Sequence, residues 1–144
     1  MRIQSTAFVA AVMICVLESI SLLAHHSFAA EFDASKPLKL RGTVMRVEWI
    51  NPHIFMYIDV KNADGTVTSW AVEGAAPNAM FRRGVRKDTL PAGVEVTVEG
   101  FQAKNGKPVA NGRTIAWPGG MKLYMGSSGT GAPDDPKKDK EKEK

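Results

Sequence analysis

Apolar and polar positions alternate along most of the middle of this chain, and that alternation predicts strands. The clearest run is Ile54–Val60, with Ile54, Met56, Ile58 and Val60 on one face and Phe55, Tyr57 and Asp59 on the other. A period of two marks a strand with one buried face. In Leu38–Ile50 the alternation changes phase: Leu38, Leu40 and Val44 share one parity, Val47 and Trp49 the other. Gly42 lies near the switch. A phase change beside a glycine predicts a bulge or sharp bend, which lets one strand serve two sides of a small barrel. Between these strands Asn51-Pro52-His53 reads as a turn or strand edge, because proline cannot donate to a ladder.

The rest of the body continues in the same style. Asp64-Gly65 predicts a hairpin turn into a third strand, Thr66–Gly74, where Thr68, Trp70 and Val72 share a face. A fourth strand covers Val94–Phe101. Asn105-Gly106 then predicts a hairpin into a fifth strand, Pro108–Trp117, broken at Asn111-Gly112, and Met121–Met125 adds a short edge strand. The one helical candidate is Ala76–Gly84. Pro77 suits the first helical position, Gly84 suits the residue past the end, and Arg82 and Arg83 complement the dipole in the last turn. Met80 and Phe81 from this helix are expected to plug one end of the barrel. Strand, strand, strand, short helix, strand, strand predicts an all-β domain, a small OB-like five-stranded Greek-key barrel with its helix between strands three and four. An open β-sandwich is the alternative.

The two ends break the pattern. Arg2 followed by the apolar run Ala7–Leu17 reads as a secretory signal peptide, the run being too short to span a bilayer. Cleavage after Ala24 would leave His25 as the new N-terminus; cleavage after Ala29 has the better small residues before it. Cys15 is the only cysteine and lies inside the leader, so the mature chain is expected to carry no thiol chemistry. From Gly126 the chain is poor in hydrophobes and rich in Gly, Ser, Pro, Lys and acids, a composition expected to be disordered. The division expected is therefore 1–24 signal peptide, 25–125 barrel with an N-terminal arm, and 126–144 tail, in a periplasmic protein with no transmembrane segment after cleavage. Within the arm, Phe28 and Phe32 are expected to tuck against the body.

Charge narrows the partners. The 144-residue chain has a net charge of +4, and the body from His25 to Met125 holds 13 basic and 9 acidic residues. That excess falls short of a dedicated basic face, and no nucleic-acid partner is expected.

Two sets of residues can carry chemistry. The histidines are His25, His26 and His53. If His25 is N-terminal, its amine and imidazole can chelate one metal ion, with His26 adjacent and His53 supplying a third imidazole if the arm folds back. Such nitrogen donors suit Cu(II), Ni(II) and Zn(II), copper first, and Glu31 or Glu48 could add a carboxylate. The competing reading is that all three are solvated or turn residues. The second set is aromatic: Phe55, Tyr57 and Trp70, expected on one exposed face of strands two and three, could dock a periplasmic partner protein; in OB-folds that surface binds oligonucleotides or sugars, and Arg82, Arg83, Arg86 and Lys87 could add phosphate contacts. The competing reading packs these rings under the arm. No nucleophile motif, phosphate loop or carboxylate pair argues for catalysis, Glu48 and Glu73 being the only acid/base candidates near aromatic surface. A non-enzymatic binding or accessory module is expected.

Several segments together resemble a known family: HHSFAAEFD after an export signal, GTV…VEWINPHIFMYIDV, DG…SWAVEG, and LPAGVEVTVEGFQAKNGKPVA. They are similar to a family of small exported bacterial proteins described as a domain of unknown function. The similarity covers roughly His25 to Lys122. It implies a mature chain that opens on the His-His pair, hence cleavage after Ala24, and it implies no activity.

Overall fold

The computed structural model describes residues 28–119 and 121–133. The expected signal peptide, His25, His26 and the last eleven residues lie outside them. Helix α1, Phe28–Glu31, leads into β1, Phe32–Trp49. Then come β2, Ile54–Lys61; β3, Val67–Glu73; α2, Pro77–Arg82; β4, Glu95–Ala103; β5, Val109–Trp117; and β6, Met121–Tyr124. The strands form one sheet in the order β3-β2-β1-β4-β5-β6. Five of them close into a ring, because the start of β5 also pairs with the end of β3, in parallel, at Ala71/Val109, Val72/Ala110 and Glu73/Asn111.

β1 does the work expected of a strand that changes phase. Its first half pairs with β4 from Pro37 to Thr43, and its second half pairs with β2 from Thr43 to Trp49. The register shifts between Val44 and Arg46, so Met45 is the extra residue and points outward. That single insertion puts Leu40 and Val44 before it, and Val47 and Trp49 after it, on the same interior side. Gly42 has its own reason to be glycine: a Cβ there would lie 2.6 Å from the Asp59 carbonyl oxygen.

The interior is built from the alternating faces. Val44, Ile54, Met56, Ile58, Val72, Val96, Val98 and Ile115 are fully buried, and Met80 from α2 and Val85 just after it close one end. Each such side chain removed from water contributes about 1.5–3 kcal/mol. α2 has only six residues and no side-chain cap, so Met80 is what holds it down. Pro77 opens the helix, and Gly84 at φ +86° lets the chain leave it, as the sequence predicts. Phe81, expected inside, is instead 42% exposed and stacks flat on Trp49, ring centroids 5.2 Å apart.

A second, smaller cluster lies at the N-terminal end. Phe28 packs face to face with Phe32 and edge-on to Phe101, with Ala103 and Ala132 completing the group. Ala132 belongs to the stretch that composition assigns to the tail. The segment Gly126–Pro133 runs back across the body, and the Phe28 N–H donates to the Thr130 carbonyl at 3.1 Å. No helix among the described residues is long and apolar enough to cross a membrane.

Candidate functional site

β2 and β3 pair so that Phe55 faces Glu73, Tyr57 faces Ala71 and Ile58 faces Trp70. Directly opposed residues on antiparallel strands point to the same side. The aromatic trio is therefore divided. Trp70 sits with Ile58 and Val72 on the interior side and packs against the core, whereas Phe55 and Tyr57 lie on the outer face. The single exposed face carrying Phe55, Tyr57 and Trp70 is thus corrected: period two puts an even-numbered residue of β3 opposite an even-numbered residue of β2 here. Tyr57 is engaged locally. Its hydroxyl donates to Glu48 at 3.2 Å, and the Arg46 guanidinium covers its ring at 3.6 Å while also binding Glu48.

Polar groups converge on the same outer face, one step further round the ring. Glu73 lies between Phe55 on β2 and Asn111 on β5. The Asn111 amide donates to the Glu73 carboxylate at 3.3 Å. Arg113 follows at a bulge: β4 and β5 shift register between Glu99 and Gly100, which pair with Thr114 and Gly112, and Arg113 has no partner on β4. The bulge turns its side chain under the chain that follows β6. The guanidinium donates to the Tyr124 hydroxyl and approaches the Asn111 side-chain Oδ1 and the Ser127 backbone carbonyl, both at 3.5 Å. Arg113 is only 2% exposed although it belongs to an outer face, because Tyr124 and Gly126 cover it. A Cβ at Gly126 would lie 2.5 Å from the guanidinium nitrogen, so any other residue there would have to displace the Arg113 side chain. Arg83, just past α2, reaches the same place and donates to the Tyr124 and Gly126 carbonyls at 3.3 and 2.9 Å. Partial burial lowers the pKa of Arg83, its largest cause being desolvation of the cation.

His53 stands at the mouth of this network. The turn that carries it is pinned by two backbone bonds, Ile54 N–H to Ala75 and Gly74 N–H to Ile54. Its Nδ1 lies 3.2 Å from the Gly74 carbonyl, 3.2 Å from the Ser127 hydroxyl and 4.0 Å from the Glu73 carboxylate. A carbonyl only accepts, so the Gly74 contact is a hydrogen bond in the tautomer that carries the ring proton on Nδ1. Nε2 is then the nitrogen that carries the lone pair. The side chain is 19% exposed, enough to be reached from outside.

The described residues contain no group of three His, Cys, Asp or Glu side chains poised to hold a metal ion. His25 and His26 lie outside those residues. Of the proposed carboxylates, Glu48 is held by Arg46 and Tyr57, whereas Glu73, noted in the sequence only as an acid/base candidate, is the neighbour of His53. Asn111, Arg113, Tyr124 and Ser127 carry no recognisable motif. The one signal for them is the polar Asn111-Gly112-Arg113 run inside an otherwise alternating strand.

No curated protein and no solved structure matches this chain. A family model matches residues 12–112, which include β1 through the first half of β5, His53 and Glu73, and the chain belongs to that family, described as a family of unknown function (DUF6152).

Proposed function

We propose that this is an exported, periplasmic, non-enzymatic binding protein that holds a transition metal, copper first, through His53 and the arm histidines His25 and His26. The observation that carries the reading is the orientation of His53. Metal-binding imidazoles characteristically donate their other N–H to a backbone carbonyl or a carboxylate, which fixes the tautomer and raises ligand basicity. His53 has the Gly74 carbonyl at that nitrogen, with Glu73 behind it.

Chain connectivity supports bringing the arm to this point. Ser127 touches His53, and Thr130 holds the Phe28 N–H. Ser127 and Thr130 are three residues apart, at most about 11 Å of extended chain, and His26 is two residues before Phe28, about 7 Å. The Phe28 anchor thus limits how far the arm histidines can lie from the His53 turn, which supports the reading. The ring order β1-β2-β3-β5-β4, with α2 between β3 and β4, supports reading the scaffold as an OB-type barrel.

Native mass spectrometry and Cu(II) titration of the protein purified from the periplasm test the proposal. The expected result is a chain that starts at His25 and binds one copper ion, with His53→Ala weakening affinity at least tenfold, about 1.4 kcal/mol. Unchanged affinity in that variant removes His53 from the site. A mature chain starting at Ala30 has lost both arm histidines and ends the copper reading.

A further inference from the structure

Four large apolar side chains are strongly exposed among the described residues: Met45, Ile50, Val67 and Phe81. Three of them share one end of the ring. Phe81 stacks on Trp49, and Ile50 follows Trp49 at the end of β1. Met45 is the outward residue of the β1 bulge, beside Val44, whose backbone pairs with Gly93 and Val94 in the loop that follows α2. The exposures are 49% for Met45, 52% for Ile50 and 42% for Phe81, so none of the three is covered by the fold.

The cations of β1 and β6 are paired, while Lys61 and Lys107 elsewhere have no ion pair among the described residues. Lys39 and Lys122 are tied to Glu99, Arg41 to Glu95 and Arg46 to Glu48. Arg83 is engaged internally on backbone carbonyls. Arg82, Arg86 and Lys87 are exposed, and none of their side chains forms an ion pair among the described residues. Asp88 is the one acid in the Phe81–Leu90 stretch. An apolar tip of Trp, Phe, Ile and Met, flanked by unpaired Arg and Lys, has the composition of an interfacial membrane anchor, with apolar groups entering the acyl boundary and cations meeting anionic headgroups.

We propose that this end of the barrel, Met45, Trp49, Ile50 and Phe81 with Arg82, Arg86 and Lys87, docks reversibly on an anionic lipid surface. The charge pattern selects a lipid surface over a neutral apolar partner, because three uncompensated cations beside one acid would be left desolvated against neutral protein. The surface adjoins the His53 network, Ile50 being three residues before His53, but shares no residue with it, and the proposal stands whether or not a metal binds there.

The test is co-sedimentation of the full chain with vesicles of phosphatidylglycerol and phosphatidylcholine in equal parts, against vesicles of phosphatidylcholine alone. The proposal expects binding to the anionic vesicles only, weakening with salt. The charge-reversed triple variant Arg82→Glu/Arg86→Glu/Lys87→Glu is expected to lose at least about tenfold in partition. The double variant Ile50→Ser/Phe81→Ser is expected to lose a similar factor at unchanged net charge. All five positions are exposed, and unfolding curves matching the parent chain confirm intact folds. No sedimentation with anionic vesicles at low salt, or binding that both variants leave unchanged, overturns the proposal. So does capture by an acidic polypeptide such as polyglutamate without any by vesicles, which would make the surface a protein-docking site.

Discussion

The two faces of the β2–β3 pair obey different rules. On the inner face Ile54, Met56, Ile58, Trp70 and Val72 all belong to the one core, and each is placed by strict alternation. On the outer face Tyr57 and Glu73 meet side chains from other strands: Arg46 and Glu48 from β1, and Asn111 from β5. The inner face tolerates no choice, because a one-residue slip would turn its entire apolar set to water. The outer face is free to carry specific polar contacts, and the His53 network is built there. Scaffold and site are thus separated by the pleat of a single strand pair.

The comparison can be broken most forcefully from inside. Met56→Ala opens a void at a fully buried position and is expected to cost about 2–5 kcal/mol in urea unfolding. Trp70→Ala sharpens the contrast with Phe55→Ala: the first is expected to lower the denaturation midpoint clearly, the second to leave it within about 0.5 kcal/mol of the parent. Equal losses would mean that the two rings share an environment after all. On the outer face Arg113→Ala removes the donors to Tyr124, Asn111 and Ser127 together, an expected cost of about 1–3 kcal/mol. It should also raise amide exchange selectively in the segment Gly126–Pro133, which the guanidinium helps to seat.

The smallest effect concerns pH. Lys122, Thr114 and Lys39 surround the Glu99 carboxylate and lower its pKa from 4.5 to about 2, the Lys122 hydrogen bond being the largest cause. A group whose folded pKa is depressed contributes stability above its unfolded value and loses it as pH falls through the folded one. The contribution of Glu99 is therefore complete above about 4.5 and fades between there and about 2. Glu99→Gln should flatten the acid limb of the stability profile in that window and change little at pH 7, since these groups are exposed and screened. A parent chain and variant with superimposable acid limbs would show that the ion pairs do not persist in solution.

Local chemistry made much of this molecule legible in advance. Five of the six strands, the bulge in β1, the turn at Asn51-Pro52-His53, the helix from Pro77 to Gly84 and the burial of Phe28 and Phe32 follow from alternation, glycine, proline and hydrophobic content, which act within a few residues. β6 was readable only as an addition at the edge. His53 was legible as chemistry because histidine is rare here and sits at a turn. Its surroundings were not, because Glu73, Asn111 and Ser127 reach it through strand pairing and a returning segment whose composition alone suggests no structure.

What the sequence determined by itself is thus periodicity: which residues alternate and where the alternation must stop. Register and closure were decided by tertiary structure. The pairing of Ile58 with Trp70 took the indole inside, and the parallel closure of β3 on β5 brought Glu73 to Asn111. The return of Ser127 to His53 covered an arginine that composition would have left in water. The physical reason is range: alternation is set by each residue's own geometry, whereas register and closure are chosen by packing energy between residues remote in sequence, as Thr43 and Glu95 in adjacent strands show.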